Sequence, residues 1–259
     1  MFFFWHRIAR TLPWIIVGGL AVLITLLCIA PAAWITPQFG RATGGHVNLV
    51  DPAGSLWHGS ATLLLAPGSD RANSTLLPGR VEWHTAFWPL FGGRLHMTLQ
   101  HTEAMHQPVT LDASRSQAVL GAGSLALPAT LLTGLGAPFN TLDLQGDVRL
   151  SWTDMRVLNQ QAYGQLTVLL TDMASRVSLV RPLGSYRVTL LAQGPAATLQ
   201  LATLRGPLQL NGAGQWQRGH FAFNGAARST SEARGSLAGL LNLLGRRIDD
   251  ATYAITFAR

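Results

Sequence analysis

The sequence predicts a mostly β protein in which one transmembrane helix precedes a large domain of antiparallel strands and a C-terminal amphipathic helix. The first observation is an apolar stretch, residues 14–35, that contains no charged residue. The second is that short alternating or apolar runs after it repeatedly begin at a glycine, which is typical of half-buried strands between turns. The third is composition: 27 glycines in 259 residues and only 12% charged residues are typical of strand-rich proteins.

The apolar stretch has the length of a membrane span. Its 22 residues make a helix of about 33 Å, which exceeds the roughly 30 Å of hydrocarbon in a bilayer. Arg7 and Arg10 precede the stretch, and no charged residue follows it until Arg41. Because basic residues favour the cytoplasmic side, we expect residues 1–13 in the cytoplasm, residues 14–35 in the membrane, and residues 36–259 in one domain outside the cytoplasm.

A cleaved signal peptide is the alternative for this stretch, because residues 30–33 include three alanines. We favour a retained anchor. The apolar core of a signal peptide usually has only about 7–15 residues, and Trp34 suits a membrane interface. The single cysteine, Cys28, lies within the stretch, so the outer domain has no disulfide of its own.

The strands are predicted from the runs that begin at glycines. Alternation places Val148, Leu150 and Trp152 on one face of a strand. Tight turns are expected at Asn211 and Gly212, and at Arg218 and Gly219. The predicted strands, which together indicate an antiparallel meander, are residues 59–65, 79–85, 93–99, 146–152, 164–170, 184–191, 206–210, 214–217, 219–225 and 251–257.

Two segments break the strand pattern. Residues 125–135 are expected to form helical turns or a loop around Pro128. Residues 231–244 are expected to form a helix that Ser231 caps and Gly245 ends. The leucines of this helix at helical spacing are Leu237, Leu240, Leu241 and Leu244. We expect this leucine stripe to pack on the sheet, and the alternative is an interaction helix that meets a partner helix or a membrane surface.

No catalytic, cofactor-binding or metal site is predicted. His96, His101 and His106 are close in sequence, with Glu103 among them, but separations of five residues on a strand place His101 on the opposite face from the other two histidines. The nearby hydroxyl and imidazole groups of residues 55–60 precede a strand rather than the helix of a nucleophile elbow. We therefore expect no enzyme activity and no cofactor.

The basic charge does not predict a nucleic-acid partner. The formal net charge is +7, and all 19 basic residues are arginines dispersed along the chain. The longest basic run is Arg246 and Arg247, so no dense phosphate-binding stripe is present.

Two short segments resemble a known family. Residues 52–61 read Pro-Ala-Gly-Ser-Leu-Trp-His-Gly-Ser-Ala, and residues 77–83 read Leu-Pro-Gly-Arg-Val-Glu-Trp. This pattern, with one N-terminal membrane segment and a leucine-rich helix before a final strand, resembles type II secretion system protein N, a family related to AsmA-like periplasmic proteins. The motif positions, for which we expect structural roles, are Gly54, Leu56, Trp57, Gly59, Leu77, Pro78, Gly79 and Trp83.

The motif residues have physical interpretations of their own. Gly54 and Gly59 are expected to permit tight backbone at a turn. Trp57 and Trp83 are expected to lie on two successive strands and to pack against each other. On this interpretation, Trp57→Ala lowers stability by about 3 kcal/mol or more.

The resemblance implies an accessory inner-membrane component of the system that exports folded proteins from the periplasm of Gram-negative bacteria across the outer membrane. It implies no catalytic activity. It also implies a periplasmic domain folded as a curved antiparallel sheet, an AsmA-like trough with one apolar side. The expected partners are other inner-membrane type II secretion components and the lipid bilayer. The alternative is a lipid-handling protein that holds acyl chains in the apolar groove.

Overall fold

The computed structural model describes residues 17–19, 25, 29–66, 74–135, 139–217, 219–249 and 251–258. Strands dominate this part of the chain, as the sequence predicts. They are β1 (Val47–Gly54), β2 (His58–Leu65), β3 (Thr75–Leu76), β4 (Val81–Thr85), β5 (Leu95–His101), β6 (Val109–Ala113), β7 (Gln117–Leu120), β8 (Gly123–Pro128), β9 (Leu144–Trp152), β10 (Met155–Leu158), β11 (Gln161–Ser175), β12 (Gly184–Gly194), β13 (Ala196–Arg205), β14 (Leu208–Gln217), β15 (His220–Ser229), β16 (Arg246–Arg247) and β17 (Thr252–Ala258).

These strands form one antiparallel sheet with the order of a meander. From β1 and β2 the pairing passes through β4, β5, β6 and β7. β7 pairs with β10 and β8 with β9, and the long strand β11 pairs with both β9 and β10. The meander continues through β12, β13, β14 and β15 to β17. Within the described residues no pairing joins β1 to β17, so the sheet is open.

Short helices accompany the sheet. Two 3-10 helices are Ala32–Trp34 and Ala129–Leu135, and the α-helices are α1 (Thr36–Ala42), α2 (Trp88–Phe91), α3 (Phe139–Leu142) and α4 (Arg234–Leu244). Residues 125–128 continue β8, so the predicted helical turns begin only after Pro128.

Two hydrophobic cores hold the molecule together. The larger one lies beneath α4 and includes the buried residues Val148, Met173, Tyr186, Leu208, Ala227, Tyr253, Leu237, Leu240 and Leu241. The smaller one joins the N-terminal segment to the first strands through Ala32, Ala61 and Trp83. The first core therefore fastens the helix α4 to the last strands of the sheet, and the second fastens the end of the apolar stretch to the first strands.

The helix α4 starts later than the sequence predicts. Its N-cap is Ala233, which makes no side-chain capping hydrogen bond, so the prediction that Ser231 caps the helix is wrong. A turn that joins the Ala233 amide to the Thr230 carbonyl at 3.2 Å precedes the helix instead. Gly245 does end the helix. Its backbone is extended, and a Cβ there would lie 2.9 Å from the carbonyl carbon of Ala254, so glycine allows β17 to pass close by.

The predicted turn at Asn211 and Gly212 is also wrong, because β14 runs through both residues without a break. Gly212 lies opposite Gly225 of β15, and the ring of Phe223 fills the space where its side chain would be. The glycine thus permits close packing inside a strand. A turn at Gly219 is confirmed, since Gln217 pairs with His220 across it, whereas Arg218, the other residue of the predicted turn, lies outside the described residues.

The end of the apolar stretch lies against the first strands. The Leu56 amide donates a hydrogen bond to the Ala30 carbonyl at 2.9 Å, and Pro31 forms an isolated bridge with Ser55. Residues 30–35 are therefore not one continuous α-helix. Of the predicted membrane helix, residues 14–35, most of the part before residue 29 lies outside the described residues. Within the described part of the chain, no helix has both the length and the apolar character that a membrane crossing requires.

The second half of the sheet is amphipathic. Residues directly opposite in paired strands share a face, and one such row runs Trp152, Leu166, Leu190, Leu199, Gly214, Phe223 and Phe257. The next residues along the same strands form a row on the other face, which runs Ser151, Thr167, Thr189, Gln200, Ala213, Asn224 and Thr256. One face is thus apolar and the other mostly polar.

Candidate functional site

The first family motif forms the turn between β1 and β2. Gly54 has φ +81°, a conformation that favours glycine. The Ser55 amide donates to the His58 carbonyl at 2.8 Å, and the Ser55 hydroxyl accepts the amides of Trp57 and His58 at 3.2 and 3.1 Å. Ser55 is therefore occupied in closing the turn, and the motif is a structural unit.

Gly59 lies directly against the Trp83 indole. A Cβ at Gly59 would lie 2.7 Å from Cε2 of Trp83, so only glycine lets the ring lie flat on β2. The indole Nε1–H donates to the Ser55 carbonyl at 3.2 Å, which ties the second motif to the first. Trp83 is only 6% exposed and belongs to the smaller core.

Trp57 does not lie on a strand, so this part of the prediction is wrong. It is half-buried in the turn that Ser55 closes, and its ring meets the edge of Phe87 at a centroid distance of 4.8 Å. The neighbouring Leu56 accepts the Thr85 hydroxyl at 3.0 Å through its carbonyl. The turn therefore packs against the end of β4, while Trp83 makes the deeper contact.

The second motif leads into β4 past a buried histidine. Leu77 is buried, and Pro78 and Gly79 make the turn, with φ +88° at Gly79. A Cβ at Gly79 would lie 2.8 Å from Cε1 of His101, so the imidazole packs directly on this glycine. The following Arg80 binds Asp51 at 2.7 Å and Ser60 at 3.1 Å, which links β4 to β1 and β2.

His101 is held in its neutral form. Its Nδ1 accepts the amides of Ala104 at 3.0 Å and Glu103 at 3.3 Å, which places the ring proton on Nε2. Burial lowers the pKa of His101, and the nearby Glu103 carboxylate opposes part of that effect. The side chain is buried, and Nε2 has no hydrogen-bond partner among the described residues. Protonation of Nδ1 would cost both amide hydrogen bonds.

We expect acid to destabilise the domain through His101. Because the folded-state pKa is lowered, the unfolded chain binds more protons below its own pKa of about 6.5. Stability is then complete above about pH 6.5 and falls as the pH drops below it. The variant His101→Asn keeps an acceptor for one amide but does not titrate. Thermal unfolding of both proteins at about pH 7.5 and 5.5 tests this, and an equal loss of Tm in both would contradict it.

The other histidines and serines of interest are separated in space or already bonded. His96 pairs with Asp112 at 2.5 Å, whereas His101, five residues later on β5, is buried on the opposite face of that strand, as the spacing predicts. His106 is exposed in the loop after β5. Ser60 accepts the Arg80 guanidinium at 3.1 Å. Among the described residues, no group of three or more potential ligands could hold a metal ion.

The leucine stripe of α4 faces the sheet. Leu237, Leu240 and Leu241 are buried in the larger core, and Leu244 is half-buried against it. This arrangement confirms the packing interpretation and leaves those side chains covered by the protein itself. The leucine that points outwards is Leu243, which does not belong to the predicted stripe.

The two edges of the sheet differ. Along β1, the helix α1 and the turn after it pack against the strand, where the Thr43 hydroxyl donates to the Val47 carbonyl at 2.6 Å. Along β17, the short strand β16 pairs only with Tyr253 and Ala254. Residues 255–258 therefore have no partner on their outer side within the described part of the chain. An uncovered strand edge offers backbone donors and acceptors to another strand.

An exposed aromatic loop forms a further surface, which was not predicted from the sequence. The loop between β4 and β5 contains Phe87, Trp88, Leu90 and Phe91, and Trp88 and Phe91 are 81% and 73% exposed. The signal in the sequence is the run Phe-Trp-Pro-Leu-Phe, which carries four large apolar side chains without the alternation of a strand. Large exposed apolar patches usually mark a contact with a protein or a membrane.

Comparison with known proteins identifies the family. The family model of type II secretion system (T2SS) protein N matches residues 45–256, which is most of the chain and includes both motifs. No curated protein and no solved structure matches the chain significantly. Because the match extends from the start of β1 to the last strand, the chain belongs to the type II secretion system protein N family.

Proposed function

We propose that this protein is an accessory inner-membrane component of the type II secretion system that takes part in export by binding other inner-membrane components. The family match supports a place in this system. The observation that carries the binding role is the outer edge of β17, where residues 255–258 have no strand partner in the described part of the sheet. Strand addition at such an edge supplies backbone hydrogen bonds and needs no catalytic group.

The membrane placement is part of this proposal. The apolar stretch is proposed to anchor the chain in the inner membrane as a single span that ends before residue 30, because residues 30–35 pack against the first strands. Residues 1–13 are proposed to lie in the cytoplasm and the β-rich domain in the periplasm. The buried contact between Ala30 and Leu56 supports a short connection between anchor and sheet. The sheet is proposed to curve into the AsmA-like trough that the family resemblance implies.

Lipid handling is the second candidate function, and the apolar face of the sheet favours it. The row from Trp152 to Phe257 crosses seven strands, or about 29 Å at the usual strand spacing. Its leucines and Phe223 are only half-buried, whereas α4 covers the face at the other end of these strands. A half-covered apolar surface of this length suits acyl chains.

Photocrosslinking in cells distinguishes the two functions. We place a photoreactive amino acid at Phe257 on the open edge, at Leu199 on the apolar face, or at Gln200 on the polar face, and identify the captured molecules by mass spectrometry. Leu199 and Gln200 are adjacent on β13 and point to opposite faces, so they form a matched pair. The binding role predicts capture of inner-membrane secretion proteins at Phe257 and not at Gln200.

A charge on the open edge provides the functional test. Thr256 is exposed on β17, so Thr256→Lys is expected to change stability by no more than about 0.5 kcal/mol. Edge lysines oppose strand addition. We therefore expect the variant to lose photocrosslinking to secretion proteins at Phe257, and cells that carry it to export less protein. Phospholipid captured at Leu199, with no protein at Phe257, would instead support lipid handling.

A further inference from the structure

We propose that the loop between β4 and β5, residues 86–94, docks in the interfacial layer of the bilayer from which the chain emerges, with Trp88 and Phe91 entering that layer. This contact is distinct from the β17 edge. Its orientation rests on the membrane anchor proposed above. The loop would then fix the orientation of the sheet relative to the membrane.

The exposed apolar side chains of the loop are held in a defined arrangement. The four residues of α2 make one helical turn, so Trp88 and Phe91 lie three residues apart on the same side. Their ring centroids are 6.0 Å apart. The Arg94 amide donates to the Pro89 carbonyl at 3.1 Å, which closes the loop before β5 begins.

Phe87 fastens this surface to the family motif. Its ring meets Trp57 at 4.8 Å and Phe91 at 5.2 Å, both edge to face. Trp57 in turn belongs to the turn that Ser55 closes. The exposed rings therefore project from a fixed base rather than from a free loop.

The loop lies beside the point where the apolar stretch joins the domain. Ala30 accepts the Leu56 amide, and Leu56 accepts the Thr85 hydroxyl at the end of β4, one residue before the loop. Two hydrogen bonds thus connect the stretch to the base of the loop. Ile29, just before this junction, is exposed.

The chemistry of the loop fits a membrane interface. Tryptophan is enriched where acyl chains meet headgroups, and Trp88 here stands next to other apolar rings. Arg94 is exposed at the end of the loop, and arginines near a membrane surface attract anionic headgroups. Trp88 and Arg94 lie in a loop beside the end of the 22-residue apolar stretch. This position favours a lipid surface over a protein partner.

The test uses the full-length chain in proteoliposomes that contain phosphatidylglycerol. In a Cys28→Ser background, Leu90→Cys carries an environment-sensitive NBD label between Trp88 and Phe91. The matched control is Leu179→Cys, which is also an exposed leucine in a loop but lies at the opposite end of the strands, between β11 and β12. We expect blue-shifted emission at position 90, and quenching by lipids that carry a nitroxide near the glycerol backbone, with neither effect at position 179.

A second pair of variants tests the rings themselves. Trp88→Ser with Phe91→Ser is expected to abolish the quenching at position 90, whereas Val177→Ser with Leu179→Ser is expected to leave it unchanged. All four positions are exposed, so circular dichroism should show the same fold in each variant. Retained quenching after loss of both rings would overturn the proposal.

Two further outcomes would also overturn the proposal. One is equal quenching, or none, at positions 90 and 179. The other is a label at position 90 that becomes shielded only when other secretion proteins are reconstituted, because that result would assign the loop to a protein contact. Alkaline extraction of the same vesicles reports on the anchor separately, so a chain that stays in the membrane without quenching at position 90 refutes the docking and not the anchor.

Discussion

Replacing Trp83 with alanine is expected to lower the free energy of unfolding by about 3–5 kcal/mol, the range for loss of a buried tryptophan or phenylalanine. The indole is 6% exposed, lies flat on Gly59 and donates to the Ser55 carbonyl. Its removal leaves a cavity between β2 and β4 and an acceptor without its donor. Denaturant unfolding followed by far-UV circular dichroism measures the change.

Trp88→Ala is the matched control for Trp83→Ala. Both replace a tryptophan near β4, but Trp88 is exposed, so its loss in detergent solution is expected to change stability by at most about 0.5 kcal/mol. Comparable losses in the two variants would show that burial against Gly59 does not stabilise the domain. The sequence predicts the large loss of stability for Trp57→Ala. The structure assigns this loss to Trp83→Ala instead, because Trp57 is only half-buried in a turn.

Replacing Leu241 with alanine is expected to cost about 2–5 kcal/mol, as deletion of a buried leucine does. Leu241 is 1% exposed and packs in the core that joins α4 to the last strands. Leu243→Ala is the control on the same helix, because Leu243 is 65% exposed and should cost no more than about 0.5 kcal/mol. Thermal unfolding of both variants gives the comparison.

The same pair of variants bears on what α4 does. A core role predicts that Leu241→Ala lowers secretion only as far as it lowers the amount of folded protein. A stable Leu241→Ala protein that fails in secretion would mean that α4 leaves the sheet to bind a partner. Loss of secretion in Leu243→Ala, without loss of stability, would place a contact on the outward side of the helix.

Local patterns in the sequence predicted nine of the 17 strands, namely β2, β4, β5, β9, β11, β12, β14, β15 and β17. The alternation around Val148 and the glycines at turns depend only on neighbouring residues, and the structure confirms strands there. The other eight strands were not predicted, and β13 and β1 are the longest of them. β1 contains Pro52 and a residue with positive φ, Asp51, whereas β13 was missed although Gly194 stands two residues before it, as Gly79 does before β4. Both strands form because a neighbouring strand supplies their hydrogen bonds.

The glycines also show that local sequence alone does not determine the backbone conformation. Gly219 is in a tight turn with φ +84°, as its sequence context predicts. Gly212 has the same kind of context but lies inside β14, because Gly225 and the Phe223 ring occupy the space beside it. A glycine marks a special position, but only its neighbours in space decide whether that position is a turn or a close approach.

By itself, the sequence determined the family and the mostly β class, because these depend on residue type and spacing along the chain. Only the tertiary structure decided which surfaces remain uncovered. The leucines of α4 are buried because the last strands meet them. The edge of β17 is open because β16 is only two residues long, and the rings of residues 87–91 are exposed because no described element covers their loop. Exposure is a property of the whole packed chain, which local spacing does not specify.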